Sequence, residues 1–211
     1  MTNSDFPLGV HSQFPYETKW NEVCGLKILS LKDLDQTIDL YFKDYETTQA
    51  EWLFDLCPYF GVIWPSTVAL TKYLAEHHPQ ERSVLELGCG LAIPSLYLGK
   101  QGISVRATDF HPDVPFFLQQ NMRENSVSVS LAVVRWSELT VSEELIIGSD
   151  ILYDREQVGE LLNLLKRSKW RRAIFVDPGR AYWERFVLEA KKDFPVKEFL
   201  FASSFFCEIS R

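Results

Sequence analysis

The chain has 211 residues, 46% of them hydrophobic and 24% charged, which are the proportions of a globular domain and not of a disordered, collagen-like or disulfide-framework chain. Lysine plus arginine number 22 against 29 for aspartate plus glutamate, a net charge of −7, so no global excess of positive charge exists to neutralise phosphates. Non-specific nucleic-acid binding is disfavoured, and no apolar run approaches the ~18 residues of a membrane span.

The first residues, Met1 to Pro7, have neither a basic n-region nor an apolar h-region, so a cytoplasmic protein with no membrane partner is expected. The four cysteines, Cys24, Cys57, Cys89 and Cys207, are scattered and form no CxxC pair, which reads as reduced thiols and not as a zinc or thioredoxin-type site. His77 and His78 are adjacent, His11 and His111 stand alone, and no HExxH pair exists, so no metal site is expected and the histidines read as solvated or capping. Tyr16 to Leu31 predicts one or two strands broken near Cys24-Gly25, followed by an acidic stretch with Asp33, Asp35 and Asp39. Trp52 to Trp64 is rich in aromatics, after which Pro65-Ser66-Thr67 opens a helix running to about His78, where Pro79 stops it. Residues 1–60 are expected to form an N-terminal, β-containing extension or lid, and residues 61–211 the main domain.

From residue 83 onward, short β-rich runs alternate with helical patterns. The strand candidates are Ser83–Leu87, Ile103–Asp109, Val129–Val134, Leu145–Asp150 and Ala173–Asp177. Such alternation predicts βαβ units and a mostly parallel sheet with helices on both faces, with ligands gathering beyond the carboxyl ends of the strands. Function is therefore expected at residues 86–90, 109–111, 135–137, 149–153 and 177–180. Lys197–Ala202 and Phe205–Ile209 are joined too closely for a helical crossover and predict a C-terminal antiparallel hairpin.

Val84 to Pro94 is the most informative segment: a strand, the glycine turn Gly88-Cys89-Gly90, and a helix whose first turn tolerates Pro94. The dinucleotide fingerprint wants a further glycine at position 93, where Ile93 stands, and the phosphate-loop spacing is absent around Gly99-Lys100. What remains is an acid ahead of the glycines, Glu86, and a second at the next strand's end, Asp109. A strand-end carboxylate can accept both hydroxyls of a ribose, and an acid at the first strand can orient a cationic amino group. Together they describe S-adenosylmethionine. The bland alternative is that both acids cap helices and the glycines only turn the chain.

The order of these pieces resembles the class I, seven-β-strand methyltransferases that use S-adenosylmethionine. More narrowly it is similar to the family-16 methyltransferase-like group, whose best-known members methylate protein lysines. The resemblance covers residues from about 59 to 211 and is carried by Gly61-Val62-Ile63-Trp64-Pro65, Leu85 to Gly90, Thr108-Asp109, Asn121 to Asn125, Trp136 and the Asp-x-x-Tyr run Asp150 to Tyr153. Asp177-Pro178-Gly179-Arg180 further resembles a branch that includes the electron-transfer-flavoprotein lysine methyltransferases and bacterial relatives. Ala92 departs from the pattern, since many relatives carry a third glycine there, and the N-terminal segment does not align.

The resemblance implies a Rossmann-like seven-stranded sheet and a cofactor site formed by Trp64, Glu86, Gly88, Gly90, Asp109, Trp136 and Ser149, with Phe110 and His111 as further candidates. Trp20, Trp52, Trp170 and Trp183 are expected in the core. Asp150 and Tyr153 are expected on the acceptor side, Asp150 holding an incoming ammonium and Tyr153 shaping its channel. Asp150 or Asp154 could instead cap the helix beginning near Arg155. Arg180 could orient an acidic substrate or tie down a loop. The expected function is methylation of a protein side chain, lysine, by S-adenosylmethionine. A small-molecule N-methyltransferase and a non-catalytic cofactor-binding module are the alternatives. Nucleic-acid amino-methylation ranks below these, because the Asn/Asp-Pro-Pro-Tyr/Phe arrangement is absent.

Overall fold

The computed structural model describes residues 16–43 and 57–211. It begins with an antiparallel hairpin, β1 (Thr18–Val23) and β2 (Leu26–Leu31), which turns at Cys24-Gly25, where both residues have positive φ, 53° and 72°. The break expected there is present. β2 packs against the helices of the main domain and buries Leu26, Ile28, Leu29 and Leu31. β1 lies outside it, so Trp20, expected in the core, is instead 43% exposed, with the Lys27 ammonium 5.4 Å from its ring centroid. Trp52 and His11 lie outside the described residues. The acidic stretch forms α1 (Leu34–Lys43), started by the Asp33 carboxylate, which accepts from Gln36 N at 2.9 Å. A single 3-10 turn, Pro58–Gly61, leads into α2 (Pro65–His77).

Strand and helix then alternate as β3 (Ser83–Leu87), α3 (Ile93–Lys100), β4 (Ser104–Asp109), α4 (Val114–Asn125), β5 (Ser130–Val133), β6 (Leu145–Ser149), α5 (Arg155–Arg167), β7 (Arg172–Asp177) and α6 (Ala181–Ala190). A hairpin of β8 (Val196–Phe201) and β9 (Ser204–Ser210) ends the chain. The seven strands from β3 to β9 form one sheet in the order β5-β4-β3-β6-β7-β9-β8. Strands β3 to β7 are parallel, while β9 is antiparallel to both β7 and β8. The expected strands are present and differ only at their ends. β6 stops at Ser149 because Asp150 has a φ of 59°, which ends the extended run. The terminal hairpin turns on Ala202-Ser203, not on Ser203-Ser204, both turn residues having positive φ as two-residue hairpin loops require.

Side chains of the central strands alternate between two apolar layers. Val84, Leu145, Ile147, Ile174 and Val176 face α2, α3 and α4, whereas Leu85, Leu87, Ile146, Ala173 and Phe175 face α5 and α6. With both faces covered, each strand reads in sequence as a continuous apolar run. Full burial of a side chain such as Phe175 or Ile147 contributes about 1.5–3 kcal/mol. Trp170 and Trp183 belong to the second layer, as expected.

Asn121 and Asn125, one turn apart on α4, dock the hairpin. Asn121 Oδ1 accepts from Leu29 N at 2.7 Å; Asn125 accepts from Lys27 N at 2.9 Å and donates to Lys27 O at 2.7 Å. The two amides thus serve the free edge of β2 as a strand would. Leu31 then fills the space beside Gly61, where a Cβ would stand 2.5 Å from Leu31 Cγ. In this way the hairpin seats the 3-10 turn against the sheet.

Candidate active site

Strands β3, β4 and β5 run outward from the middle of the sheet, and the chain then returns to lay β6 on the other side of β3. Ligands of open α/β sheets bind at such a reversal, beyond the strands' carboxyl ends. A cleft of about 270 Å³ lies there, close to the lower end of the size range of small-molecule sites. Trp64, Gly88, Gly90, Asp109, Trp136, Ser149, Asp150 and Tyr153 all line it, as do Phe110 and His111. Glu86 does not.

The glycine turn is built by backbone conformation and by close neighbours. Gly88 has φ +57° and a Cβ there would meet Ile151 Cγ2 at 2.6 Å; Gly90 has φ +49° and a Cβ would meet the Phe60 carbonyl oxygen at 2.8 Å. The second glycine is therefore demanded by the 3-10 turn lying over it as well as by its own φ. Ala92, which departs from the family pattern, has φ 56° and is fully buried, so the position that many relatives give to glycine does need the left-handed region. Here an alanine adopts it at the start of α3.

Glu86 was expected to reach the cofactor. Its carboxylate points instead to the start of α3, where Oε2 accepts from Ser95 N at 3.1 Å and from the Ser95 hydroxyl. The residue is 2% exposed, and its burial, opposed by the Ser95 bonds and aided by the charge of Asp109, pushes its pKa up to about 8. It acts as a helix-start acceptor beneath the glycine turn.

Asp109 ties two loops together at the cleft wall: Oδ2 accepts from Gly90 N at 2.9 Å and Oδ1 from His111 N at 3.0 Å. Burial raises its pKa against these backbone bonds. His111, expected to be solvated or capping, is buried, with its ring 4.2 Å from that of Phe60 and its Nδ1 accepting from Asp113 N at 3.1 Å. Asp113 in turn accepts from the Tyr16 hydroxyl, and burial pushes its carboxyl up to about 6 against that bond.

On the other side of the cleft, Asp150 Oδ1 pairs with Arg180 Nη2 at 2.7 Å, and Arg180 also reaches Asp177 at 3.4 Å. Arg180 lies over Trp64, its guanidinium carbon 5.8 Å from the ring centroid. It ties the ends of β6 and β7 together, which answers the loop-tying reading. Asp150 Oδ2 and Ser66 Oγ are both closed off from solvent and accept or donate no full hydrogen bond among the described residues, although the Ser66 hydroxyl helps Arg180 to oppose the effect of burial on Asp150. Burial raises the pKa of Asp150, with the charge of Arg180 opposing. The cap of α5 is Asp154, not Asp150: its carboxylate accepts from Glu156 N and Gln157 N, and Gln157 reaches back to Asp154 N. Tyr153, 50% exposed, stands at the rim. Ser149 forms a hydroxyl pair with Thr67 of α2 at 2.8 Å.

Several lining residues were not legible from spacing. Thr67 is 82 residues from its partner Ser149. Tyr59 and Phe60 belong to the aromatic run already noted, but only the docked 3-10 turn brings them over the glycines. Glu156, Gln157 and Glu160 follow the Asp-x-x-Tyr run on the first turns of α5, where a helix starting at the rim was itself the available signal.

The chain is 28% identical over 118 residues to the histone-arginine methyltransferase METTL23 of Xenopus laevis, an alignment covering 50% of each protein. It is 27% identical over 132 residues to the electron transfer flavoprotein beta subunit lysine methyltransferase of Homo sapiens, covering 58% of this chain and 50% of that one. It thus spans about half the length of these curated relatives. Among solved structures it matches magnesium protoporphyrin IX methyltransferase (ChlM) from Synechocystis PCC 6803, determined with bound SAM. That match has a TM-score of 0.55 and 17% identity, over 85% of this chain and 97% of that one, a likeness of fold. The lysine methyltransferase family model matches residues 59–176, from the 3-10 turn through Asp150 and Tyr153 into β7, so the chain belongs to that family.

Proposed function

We propose that the protein is a methyltransferase that uses S-adenosylmethionine and whose acceptor is a protein lysine. The observation that carries this reading is one cleft with a ribose-type acceptor, Asp109, on one wall and an underpaired buried carboxylate, Asp150, on the other. Asp109 accepts backbone bonds from Gly90 N and His111 N, with Phe110 N adding to them, and a carboxylate has about four acceptor positions, so it keeps capacity toward a ribose hydroxyl. Trp64 and Trp136 offer flat apolar walls, and Gly88 and Gly90 allow close approach of the backbone. Glu86 acts here as a support of the glycine turn.

The cofactor would supply a methyl group bound to a sulfonium sulfur, which leaves as a neutral thioether; the rest of the task is to hold a nucleophile in line with that carbon–sulfur bond. A lysine arrives as an ammonium, with a solution pKa of about 10.4. Asp150, which lines the cleft, receives that ammonium and fixes its direction. Arg180 holds the Asp150 carboxylate in place, and the acceptor nitrogen gives up one proton, to Asp150 or to solvent, before its lone pair attacks the methyl carbon. Tyr153 bounds the path of the alkyl chain at the rim.

The names of the relatives support a protein acceptor, and the METTL23 relatives favour a second reading in which the acceptor is arginine. Four unpaired cysteines fit a reducing, cytoplasmic setting. The test is incubation with methyl-labelled cofactor and lysate fractions sorted into protein, nucleic acid and small molecules, followed by amino-acid hydrolysis. Label is expected in protein as methyllysine. Label as methylarginine selects the second reading. Label confined to small molecules, or no transfer by protein that binds the cofactor, overturns both.

A further inference from the structure

The turn Asp177-Pro178-Gly179-Arg180 follows β7, and neither of its charged residues lines the cleft. Short contacts fix it nevertheless. Asp177 Oδ1 accepts from Gly179 N and from Arg180 N, both at 2.7 Å, and Oδ2 accepts from Arg180 Nη1 at 3.4 Å. Gly179 has φ +98°, and a Cβ there would stand 2.8 Å from Phe205 Cε2. Phe205 pairs with Asp177 in the register of β7 and β9, so the C-terminal hairpin braces the turn.

Asp150 lies against the same strand end, its backbone N donating to Val176 O at 3.0 Å. Two carboxylates are thereby set at neighbouring strand ends, with side chains 4% and 1% exposed, and one guanidinium serves both. Nη2 of Arg180 goes to Asp150 and Nη1 to Asp177. Without it, two such acids would hold a proton between them. Among the described residues, the charges that act on Asp150 are those of Arg180 and Asp177, in opposite directions; α2 brings the neutral Ser66 hydroxyl and β9 sets the neutral Phe205 against the turn. With both acids ionised, the group carries one net negative charge. An ammonium at Asp150 brings it to neutrality.

We infer that Asp177 is a positioning residue for methyl transfer: it fixes Arg180, shares the guanidinium with Asp150, and so leaves Asp150 the negative charge with which to receive a cationic acceptor. This rests on the protein-lysine reading above. An arginine held by Asp150 alone would neutralise that carboxylate, whereas a guanidinium divided between two enclosed acids leaves one charge over. That surplus favours the bound ammonium, and for the same reason it opposes the loss of the proton that must precede attack. Asp177 therefore strengthens acceptor binding and raises the pH at which the bound amine becomes free to react.

Asp177→Asn and Arg180→Gln test it, because they change this charge in opposite directions. Asp177→Asn keeps an oxygen for the two backbone amides of the turn and removes the charge; Asp177→Ser, whose hydroxyl can still accept from the turn, replaces it if the amide variant does not fold. Initial rates are measured from about pH 7 to 10 with methyl-labelled S-adenosylmethionine. The acceptor is lysate protein from cells lacking this enzyme, cleared of small molecules and titrated by total protein concentration. In the Asp177 variant the KM for that protein should rise at least fivefold, and the climb of kcat with pH should move to lower pH by about half a unit or more. In Arg180→Gln the climb should move to higher pH, and the double variant, which restores the net charge, should return it toward the wild type. Affinity of the Asp177 variant for S-adenosylhomocysteine should stay within about threefold, and melting temperature checks the fold. An unchanged KM and pH profile in a folded Asp177 variant, or profiles displaced the same way in both single variants, overturns the inference and leaves lysine methylation standing. No labelling of protein by wild-type enzyme that binds the cofactor overturns the lysine reading and this inference with it.

Discussion

The two ends of the parallel strands treat their carboxylates in opposite ways. At the amino end, Glu81 is buried, 4% exposed, yet it receives Arg171 at 2.9 Å and Arg172 at 3.1 Å. Its burial works against the charged form, but these hydrogen bonds and charges outweigh it and hold its pKa below the ordinary range. Glu143 is held low in the same way by Arg106 at 2.7 Å, against the effect of its own burial. At the carboxyl end, burial wins. Glu86, Asp109 and Asp150 all have raised pKa values, and Asp150 keeps an unpaired oxygen beside its bridge to Arg180. A fold that gives its buried acids arginine partners at one end of its sheet leaves Glu86 and Asp109 without a cationic partner among the described residues at the end where ligands bind, and that contrast marks the site.

The largest effects should come from the underpaired end. Asp109→Ala is expected to weaken binding of S-adenosylhomocysteine by about 1.5–3 kcal/mol, roughly 10- to 150-fold, as loss of hydrogen bonds to a charged group would. Calorimetry measures it, and an unchanged affinity would move the ribose contact elsewhere. Asp150→Asn should leave that affinity within about threefold and lower methyl transfer tenfold or more, because Asp150 lies across the cleft from Asp109 and the change weakens acceptor positioning together with the bridge to Arg180. Equal activity at equal stability would make Asp150 a structural partner of Arg180.

What could be read from the sequence was what local periodicity and strand ends encode. The βαβ alternation, the C-terminal hairpin and the strand-end placement of Asp109, Ser149, Asp150 and Arg180 follow from apolar runs and glycine punctuation, which depend on near neighbours in the chain. Glu86 shows the limit. A strand-end acid next to glycines can turn toward the ligand or toward the helix start, and only the position of Ser95 in three dimensions decides. Trp20 failed for a related reason: tryptophan favours burial, but β1 is the outer strand of its hairpin. The roof of the cleft depends on contacts about 90 residues apart, Asn121 to Leu29 and Asn125 to Lys27, which no local pattern announces.

The same contrast predicts opposite responses to pH at the two ends. The folded pKa of Glu86, about 8, lies above its unfolded value of about 4.3, so between those values the folded state binds the extra proton. Stability should therefore be gained as pH falls from 8 toward 5, by up to about 1.4 kcal/mol per unit for this one group. Asp113, pushed up to about 6, adds to the gain in the lower part of that window. Glu86→Gln keeps an acceptor for Ser95 without a titrating proton. In denaturant titrations of the cofactor-free protein between pH 6 and 8 it should flatten the slope and equal or exceed the wild type at pH 8. An identical slope in the variant would show that Glu86 is not the group that carries it.

The smallest expected effect is at the paired end, and it supplies the control for the others. The folded pKa of Glu81 lies below its unfolded value, so its pairing stabilises the protein at neutral pH and is lost only as pH falls through the acid range below about 4.3. Arg171 is 64% exposed, which screens its share, and a polar partner remains in Glu81→Gln, so the loss should be about 1 kcal/mol. In a domain of this length that lowers Tm by about 2–4 °C. The deficit should shrink as the wild type is titrated into the acid range, where its own carboxylate is neutralised, the reverse of the Glu86 behaviour. Affinity for S-adenosylhomocysteine should not move, because Glu81 lies before β3 and the cleft lies beyond its other end. A variant at Glu81 that weakened cofactor binding as much as Asp109→Ala would mean that the two ends are coupled through the sheet, and the division of labour between paired and underpaired acids would fail.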